Sequence, residues 1–581
     1  MKQLRYLNKY LWKYRRLILV GALFIFVANL FALYPAEFVR KAFDYALLGA
    51  QEKVQKVKIE YIILKYGILI VVFAVLKGIF MFFMRQTIIV MSRKIEFDLK
   101  NEIYQKYQSL EMNFYKKNKT GDLMNRISED VSKVRMYLGP AMMYTINIII
   151  LFYLVISKML GISYILTFYV LLPLPILALL VYFVSYNINQ KSEKVQKQLS
   201  KMTAISQENF SAIKIIKSFG NEESAWNVFF KSCKQYTHKQ IQLVKVEAAF
   251  FPLIIIMIGI STILIVYIGG LESLKGNITT GNIAEFIIYV NMLSWPVASV
   301  GWITSIIQRA AASQERINNF LLVKSKIKNN VKSHTPIFGD IIFKNVSLTY
   351  EDTNIKAIDD ISFTIKEGTR FGIFGKTGSG KSTIANLICR LYDANHGDIT
   401  FDETNIKNLN LFSLRSSIGY IPQDGYLFSG SIQENIAFTS NQINSKEVVE
   451  AARKAEILDE IKEFSDGFET IIGERGVKLS GGQRQRLAIA RSFYQNTDIF
   501  IFDDCLSAID AKKEYQILQT LNKESTDKTS IIISHRVSTL QHADYIIVLE
   551  GGRIIEEGTH KALIKKKGFY YDISNSQNKT I

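Results

Sequence analysis

Residues 479–504 read LSGGQRQRLAIARSFYQNTDIFIFDD, and this stretch brings two features of a nucleotide site close together. The first is a loop of small residues that opens a helical pattern: Leu479, Ser480, Gly481, Gly482 and Gln483. The second is a run of apolar strand formers, 499–502, that ends in Asp503 and Asp504. A helix N-terminus binds anions, and a carboxylate at a strand end can hold Mg²⁺. Together the two features predict a domain that handles ATP.

A phosphate-binding loop lies upstream of this stretch. Residues 370–374 have the pattern of a short apolar strand, and a G-x-x-x-x-G-K-S sequence follows at once. The loop consists of Gly375, Lys376, Thr377, Gly378, Ser379, Gly380, Lys381 and Ser382, and Thr383 continues into the helical pattern 383–391. Glycines allow backbone N–H groups to turn toward phosphates. We expect Lys381 to reach the β- and γ-phosphates and Ser382 to ligate Mg²⁺.

Further polar and aromatic residues are candidates for the same site. Asp503 is the expected partner of Ser382 on the metal, although Asp at such a place can also cap a helix or a turn. His535 follows a strand pattern and is expected to contact the γ-phosphate, with a purely structural histidine as the alternative. Taken alone, Gln423 is a polar loop residue and Tyr350 a core or edge aromatic.

The composition separates the chain into two parts. Of its 581 residues 49% are hydrophobic; long apolar runs lie before about residue 310, and the pattern of a globular domain follows about residue 337. The net charge is +19, and much of the Lys and Arg flanks the apolar runs, as at the cytoplasmic edges of membrane spans. We interpret this charge as a membrane signal, because no nucleic-acid-binding motif is present. The 3 scattered cysteines predict neither a disulfide framework nor a metal pair.

The apolar runs predict six spans, because a span needs about 20 predominantly apolar residues. The candidate spans are 17–39, 60–84, 135–158, 161–185, 248–270 and 279–305. Two gaps, between the second and third spans and between the fourth and fifth, are long, charged and helix-prone. Two pairs of helices are therefore predicted to extend far into the cytoplasm, on the side of the basic N-terminus. Residues 2–14 are interpreted as an amphipathic helix on the membrane surface.

The C-terminal part has alternating strand and helix patterns, which are typical of an α/β domain with a largely parallel sheet. The predicted boundaries are a membrane domain at 1–310, a linker at 311–336, a nucleotide domain at 337–575 and a tail at 576–581.

Residues 337–575 resemble the nucleotide-binding domain of ATP-binding cassette (ABC) transporters, with every diagnostic motif in family order. The resemblance implies that Tyr350 stacks on adenine and that 375–382 are the Walker A loop. It implies that Gln423 contacts Mg²⁺ and signals to the membrane domain. It also implies that Asp503 is the Walker B aspartate.

The same resemblance assigns roles to the remaining motifs. It makes His535 the switch histidine, Asp510 part of the D-loop, and Glu474 part of a coupling segment found in exporters. It makes 479–483 the signature loop, which in this family faces the ATP held by the Walker A loop of a second domain. Because the chain already has one phosphate cradle, the spare cradle implies a dimer with two composite sites.

The whole chain resembles a half-size ABC exporter of the type IV fold. Residues 120–126 resemble its first intracellular loop, and residues 213–222 resemble its second. The predicted fold is a polytopic α-helical membrane domain with long cytoplasmic extensions, followed by an α/β P-loop ABC nucleotide-binding domain. The expected location is the cell (inner, cytoplasmic) membrane, with multiple passes and the nucleotide domain in the cytoplasm.

One residue departs from the family pattern. After the Walker B aspartate the family normally has Glu, which orients and polarises the attacking water, whereas this chain has Asp504. Asp is shorter by about 1.5 Å, so slow hydrolysis at this chain's own Walker site is expected. A similar departure is known from heterodimeric exporters, in which an intact signature loop completes the partner's competent site. A homodimer that tolerates Asp504 is the alternative.

The leading hypothesis is export of a hydrophobic or amphipathic drug, lipid or peptide by alternating access, with ATP and Mg²⁺ as cofactors and a second half-transporter as partner. The alternatives are a homodimeric exporter or lipid flippase, and an ATP-gated or regulatory membrane subunit that does not pump. The six spans argue against a soluble ABC ATPase. Lys65 and Lys77 lie in the second span and are candidates for contact with an anionic or amphipathic substrate. Snorkelling toward the membrane edge is the alternative for both.

Overall fold

The computed structural model describes residues 2–50, 56–334, 337, 339–440, 442–473, 479–507, 509–524 and 528–578. The chain divides into two compact units. The first, called the membrane unit, holds the residues up to Gln108 together with Gly121–Val323. The second, called the nucleotide unit, holds Ser109–Thr120 together with the residues from Lys324 onward. A short segment between two predicted spans therefore folds with the nucleotide domain.

Within the described residues, the membrane unit contains six helices that are long and apolar enough to cross a membrane. Their bounds are Arg15–Ala50, Lys56–Gln108, Thr120–Ile162, Tyr164–Ser211, Glu222–Leu274 and Thr280–Leu321. The prediction of six spans is confirmed. The fourth helix begins at Tyr164 rather than at 161, because the Ser163 hydroxyl accepts a hydrogen bond from the Leu166 N–H at 3.3 Å and caps the helix.

The charged gaps between spans are continuations of the membrane helices. The helices Lys56–Gln108 and Glu222–Leu274 have 53 residues each. A helix of this length measures about 80 Å at about 1.5 Å per residue, whereas the bilayer core is about 30 Å thick. Both helices must therefore extend well beyond the bilayer, as the gap lengths predicted.

The sixth helix forms the centre of the membrane unit. Phe286, Tyr289, Val290, Leu293 and Val297 are buried at helical spacing on one face of it. Such a stripe packs against neighbouring helices. The sixth helix is therefore held by protein contacts along much of its length.

The same pattern explains why this helix enters the predicted linker 311–336. The helix ends only at Leu321, and Ser313, Ile317 and Phe320 are buried in its last turns. Continued helical burial at this spacing keeps the chain helical as far as Leu321, within the first part of the predicted linker.

The N-terminal segment 2–14 folds as two short helical pieces, Lys2–Leu7 and Asn8–Lys13, rather than as one helix. Leu7 and Tyr10 are buried in the membrane unit. The Lys9 ammonium lies 2.7 Å from a carboxylate oxygen of Glu102, which fastens the segment to the cytoplasmic extension of the second helix.

The nucleotide unit is built on three sheets. The strands are β1 Ile341–Thr349, β2 Lys356–Ile365, β3 Arg370–Gly375, β4 His396–Phe401, β5 Thr404–Asn405, β6 Ile418–Ile421, β7 Gly430–Ser431, β8 Ile471–Ile472, β9 Ile499–Asp503, β10 Thr529–Ser534, β11 Tyr545–Glu550 and β12 Arg553–Gly558. The central sheet has the order β12-β11-β3-β10-β9-β6 and is parallel except for β12. An antiparallel sheet, β2-β1-β4-β5, and the pair β7-β8 complete the unit. The predicted α/β domain is confirmed.

Helices cover the central sheet. Their bounds are Lys381–Ile388, Leu411–Ser416, Ile432–Ile436, Ser445–Lys454, Leu458–Glu463, Gly481–Gln495, Ala511–Glu524, Val537–Leu540, His560–Lys566 and Phe569–Asn578. Within β3, Phe371 and Ile373 belong to one core cluster and Phe374 to the other, as expected when neighbouring strand residues face opposite sides. The central sheet is therefore buried on both faces, which is typical of parallel sheets.

Candidate nucleotide-binding site

The predicted site residues lie at the carboxyl ends of the parallel strands of the central sheet. The phosphate loop follows β3, His535 follows β10, Asp503 closes β9 and Gln423 follows β6. Strand β10 lies between β3 and β9 in the sheet. In open α/β sheets ligands bind at this carboxyl edge. The topology therefore places His535 between the phosphate loop and the paired carboxylates.

The phosphate loop requires glycine at two positions for steric reasons. A Cβ atom on Gly375 would lie 2.4 Å from the carbonyl oxygen of Leu549. Gly380 has φ +101, and a Cβ there would lie 2.4 Å from the carbonyl oxygen of Ala357. The backbone approaches its neighbours this closely just before the helix Lys381–Ile388. That helix begins two residues earlier than the predicted 383–391, so Lys381 and Ser382 form its first turn.

The Lys381 side chain is folded back into this loop. Its Nζ donates hydrogen bonds to the carbonyl oxygens of Gly375 and Lys376, each at 2.8 Å. Burial lowers the pKa of Lys381, although the neighbouring carboxylates of Asp504 and Asp503 oppose this. The ammonium is therefore fixed inside the loop, where a phosphate-loop lysine acts on phosphates.

Ser382 and Asp503 meet at the expected metal position. The Ser382 hydroxyl donates to Oδ1 of Asp503 at 2.7 Å, and the Tyr420 hydroxyl donates to Oδ2 at 3.2 Å. Burial raises the pKa of Asp503, and the two hydroxyl donors oppose the rise. A hydroxyl and a carboxylate are oxygen ligands of the kind that Mg²⁺ takes together with substrate phosphates. No group of three or more His, Cys, Asp or Glu suited to a metal occurs among the described residues, so this pair fits Mg²⁺ rather than an all-protein metal cage.

Gln423 is not part of this pair. Its side chain is exposed, and within the described residues no hydrogen bond joins it to Ser382 or Asp503. Its carbonyl oxygen accepts a hydrogen bond from Gln485 Nε2 at 2.7 Å. The structure thus connects the backbone of Gln423 to the helix that follows the signature loop.

Asp504 and His535 form a direct contact. His535 Nδ1 lies 2.9 Å from Oδ1 and 2.8 Å from Oδ2 of Asp504. Asp504 has a left-handed backbone with φ 49, and its N–H donates to the Ile533 carbonyl at 2.9 Å. Both carboxylate oxygens face one ring nitrogen, and an ionised carboxylate fits the tautomer that has hydrogen on Nδ1. The contact fixes the imidazole and the carboxylate relative to each other.

Gln577, in the helix Phe569–Asn578, contacts the site although no motif singles it out. Gln577 Nε2 donates to the carbonyl oxygen of His535 at 2.8 Å, and Gln577 Oε1 accepts from the Val537 N–H at 2.9 Å. This amide therefore holds the backbone on both sides of Arg536. Gln577 belongs to the predicted tail 576–581, but residues as far as Asn578 continue the helix Phe569–Asn578.

Tyr350 lies under a cation from the segment 109–120. The Lys116 ammonium is 4.3 Å from the centroid of the Tyr350 ring and 5.2 Å from that of Tyr392. The Tyr350 hydroxyl lies 3.1 Å from the hydroxyl of Thr383, behind the phosphate loop. The ring expected to stack on adenine is thus joined both to the phosphate-loop helix and to a loop that lies between two spans in sequence.

Glu351 anchors the same loop to the nucleotide unit. Its carboxylate accepts hydrogen bonds from Asn113 at 3.0 Å and from Lys117 at 3.2 Å, and it also contacts Lys326. The hydrogen bond from Lys326, followed by that from Lys117, lowers the pKa of Glu351 to about 2. The short helix Met112–Lys117 is therefore fixed beside Tyr350 by a charged cluster.

The signature loop caps an exposed helix N-terminus. The Ser480 hydroxyl accepts from the Gln483 N–H at 3.2 Å, and Gln483 Oε1 accepts from the Ser480 N–H at 2.9 Å. This capping box begins the helix Gly481–Gln495. Leu479 is buried, whereas Ser480 and Gly481 are exposed, and a Cβ on Gly481 would meet no atom within 4 Å. The positive end of this helix is therefore open to an anion from outside the unit.

The Glu460 carboxylate contacts the helix Gly481–Gln495, which follows the signature loop. Its carboxylate accepts two hydrogen bonds from Arg486 at 2.8 Å and one from Gln483 at 3.1 Å, and it also contacts Lys513. Burial raises the pKa of Glu460, but these donors outweigh it and bring the pKa to about 2. Lys513 lies in the first turn of the helix Ala511–Glu524, so one carboxylate joins two helices.

Of the two remaining predicted positions, Asp510 and Glu474, the structure describes only Asp510. The Asp510 carboxylate accepts from the Lys513 N–H at 3.1 Å and caps the helix Ala511–Glu524. Glu474 lies outside the described residues.

Comparison with known proteins agrees with the fold. Residues 17–297 match the family model of the ABC transporter transmembrane region, and residues 358–507 match the family model described as ABC transporter. The chain is 32% identical to the uncharacterized ABC transporter ATP-binding protein YknU of Bacillus subtilis, over 100% of this chain and 98% of YknU. It is 34% identical to YheI of the same organism, a probable multidrug resistance ABC transporter ATP-binding/permease protein, over 79% of this chain and 78% of YheI.

A solved structure shares the fold. The ATP-bound structure of a bacterial Atm1-family ABC exporter has a TM-score of 0.80 and 24% identity, and the match covers 97% of this chain and 98% of that one. Six membrane helices and a cytoplasmic nucleotide domain make this chain a multi-pass membrane protein, and its ATP-binding domain is that of an ATPase coupled to transport. The chain therefore belongs to the ABC transporter family, as an exporter-type half-transporter that carries the membrane region and the ATP-binding domain in one polypeptide.

Proposed function

We propose that this chain is the slow-hydrolysing half of a heterodimeric ABC exporter. The observation that carries the proposal is the contact between Asp504 and His535 at the position where the family normally has Glu. Asp504 is shorter than Glu by one C–C bond, about 1.5 Å. An active-site misplacement of about 1 Å can lower a rate about a hundredfold.

The local geometry supports slow hydrolysis. Both oxygens of Asp504 face His535 Nδ1, at 2.8 and 2.9 Å, so the carboxylate is engaged by the histidine. A general base must lie within about 3 Å of the heavy atom whose proton it accepts. With the shorter side chain held in this way, Asp504 is a poor partner for an attacking water.

Nucleotide binding does not depend on that carboxylate. Lys381, whose ammonium is held inside the loop, would neutralise phosphate charge, and Ser382 with Asp503 would hold Mg²⁺ beside the β- and γ-phosphates. His535 contacts Asp504 through Nδ1, so Nε2 is the ring nitrogen that would face the γ-phosphate. The site is therefore suited to binding ATP and retaining it, while a competent site in the same dimer hydrolyses its own ATP.

The signature loop is proposed to serve the partner. Its helix N-terminus is exposed at Ser480 and Gly481, and nothing in its own unit occupies the space beside Gly481. A helix N-terminus of this kind favours a phosphate. In a dimer it would complete the partner's site, where a Glu would support faster hydrolysis.

We further propose that ATP-driven closure of the nucleotide domains turns the membrane helices from inward- to outward-facing and exports a hydrophobic or amphipathic substrate. The similarity to YheI, a probable multidrug resistance ABC transporter ATP-binding/permease protein, supports this class of substrate.

The test compares the ATPase rate of the full-length chain alone with its rate in complex with a second half-transporter that has Glu at the corresponding position. We expect slow turnover alone and a severalfold faster rate in the complex. In that complex, Ser480→Arg in this chain should abolish most of the fast turnover. A fast homodimer, with no gain from any such partner, would contradict the proposal.

A further inference from the structure

Two adjoining cavities lie in the membrane unit. The larger has a volume of about 560 Å³, and the smaller has a volume of about 320 Å³. Tyr144 and Trp295 line both, so the cavities share a wall. Pockets for small organic ligands have volumes of about 300–1,000 Å³. The pair is therefore large enough for a drug-sized molecule.

Aromatic rings dominate the larger cavity. Trp295, Trp302 and Arg309 line it from the sixth helix at intervals of seven residues, or about two helical turns, so they lie on one face. The Tyr144 ring meets Trp302 edge-on, with centroids 5.6 Å apart and an interplanar angle of 71°. A Cβ on Gly301 would lie 2.8 Å from the Ser185 hydroxyl, so this glycine allows the fourth helix to close the wall.

Cations line both cavities. Arg309 lines the larger one, and Lys77 and Arg85 line the smaller one. Lys77, Met81 and Arg85 follow one another at four-residue intervals on the second helix and therefore share one face.

Among the residues that the structure describes, no acidic side chain pairs with these cations. Neither cavity is lined by Asp or Glu, and among the described residues none of the three cations forms an ion pair. A charged side chain inside a membrane domain is costly unless it is paired or faces water, and it marks a functional site by default. An anion in the cavities would provide the missing counter-charge.

The three cations lie at different depths in the membrane unit. Because the nucleotide domain is cytoplasmic, the second and sixth helices run toward the cytoplasm, and Arg85 and Arg309 lie near that end. Lys77 lies about 12 Å deeper in the membrane than Arg85, at about 1.5 Å per residue. An anion would therefore meet a cation at the cytoplasmic mouth and another further along the path.

We propose that the joined cavities bind an amphipathic organic anion with an aromatic body, whose rings pack against Tyr144, Trp295 and Trp302 while its anionic group pairs with Arg309, Arg85 or Lys77. This inference names the substrate class of the proposed exporter and rests on that function for the step from binding to transport. The aromatic lining favours a planar ring system over the acyl chains of a phospholipid.

The test uses two dansyl probes of similar size, one ending in a sulfonate and the other in a trimethylammonium group. Binding to the full-length protein is measured without nucleotide, in zwitterionic phosphatidylcholine nanodiscs, by energy transfer from tryptophan to dansyl. The sulfonate should bind at least about tenfold more tightly than the ammonium. Arg309→Gln, and the double variant Lys77→Gln/Arg85→Gln, should each weaken sulfonate binding by about fivefold or more.

Lys65→Gln is the matched control, because Lys65 lies on the same helix as Lys77 and lines neither cavity. It should leave sulfonate binding unchanged, and all variants should keep the ATP affinity of the parent. Equal binding of the two probes, or sulfonate binding that survives in the Arg309 and Lys77/Arg85 variants, would overturn the inference. So would loss of sulfonate binding in nanodiscs that contain anionic phosphatidylglycerol, because the site would then take lipid headgroups.

A transport assay separates this inference from the proposed function. Sulfonate binding without ATP-driven movement in the two-subunit complex would leave the substrate class intact and remove the exporter function. ATP-driven movement of the ammonium probe, together with weak sulfonate binding, would support the exporter function and contradict the proposed substrate class.

Discussion

His535 Nδ1 lies 2.8 Å from one carboxylate oxygen of Asp504 and 2.9 Å from the other. This contact joins the residue after the metal-binding Asp503 to the residue after β10. The nitrogen is committed to the carboxylate, so only Nε2 remains for a nucleotide. The proposal of slow hydrolysis at this chain's own Walker site rests on this contact.

Gln577 is predicted to act through His535 rather than on the nucleotide. Replacing it by Leu removes both hydrogen bonds that hold the backbone of His535 and Val537. We expect the slow ATP hydrolysis of the full-length chain alone to fall severalfold, with ATP affinity changed by less than about twofold. Steady-state rates and nucleotide titrations of the same preparations measure the two effects.

Asp572→Asn is the control for that variant, since Asp572 is exposed on the same helix. It should leave both quantities unchanged. If Gln577→Leu weakened ATP binding and hydrolysis in the same proportion, the amide would have a general structural role instead of positioning His535.

Lys116 is predicted to compete with adenine for the ring of Tyr350. Its ammonium lies 4.3 Å from the centroid of that ring, and such a contact contributes about 0.5–1 kcal/mol at an exposed site. Lys116→Met should therefore raise ATP affinity by about twofold to fivefold. Tyr350→Ala should lower it, and titration with a fluorescent ATP analogue measures both.

Lys117→Met is the matched control for Lys116, because Lys117 pairs with Glu351 and not with the ring. Its effect on affinity should be smaller than that of Lys116→Met and need not have the same sign. Weaker ATP binding in Lys116→Met would contradict competition and would place the lysine among the groups that bind the nucleotide.

The ionised carboxylate of Glu460 is predicted to stabilise the nucleotide domain, and this stabilisation should be lost in acid. Its pKa is lowered from 4.5 to about 2 in the folded protein, so between these values the unfolded chain binds more protons than the folded one. The stability contributed by this carboxylate is complete above pH 4.5 and is lost as the pH falls toward about 2. The carboxylate is partly exposed, so solvent screening reduces the effect.

Thermal unfolding of the wild type and of Glu460→Gln, compared at pH 7 and at about pH 4, tests this contribution. The difference in melting temperature between the two proteins should shrink as the pH falls. A difference independent of pH would mean that the ionised carboxylate is not the source of the stabilisation.

The sequence predicted the class of structure because the relevant signals are local. Apolar runs long enough to span a bilayer and a glycine-rich loop between a strand and a helix each lie within a short stretch of chain. The boundaries were less accurate. The burial of Ile317 and Phe320 carries the sixth helix to Leu321, and contacts of Gln577 keep the predicted tail helical.

The contacts that the sequence could not supply join distant parts of the chain. Tyr420 donates to Asp503, Lys116 lies over Tyr350, and Glu460 joins Gln483 to Lys513. None of these pairs has a characteristic spacing or motif, because each depends on how separate elements pack. For Gln423, which matches a motif, the contact with Mg²⁺ stays a prediction, since among the described residues no hydrogen bond joins its side chain to Ser382 or Asp503.

The slow-site proposal is tested most directly by Asp504→Glu, measured as the steady-state ATPase rate of the purified full-length chain with its ATP affinity determined in parallel. The account predicts a rate at least severalfold higher than that of the parent, with unchanged ATP affinity, because the longer side chain restores the reach of the carboxylate. Brisk hydrolysis by the parent chain alone, little changed by Asp504→Glu, would contradict it.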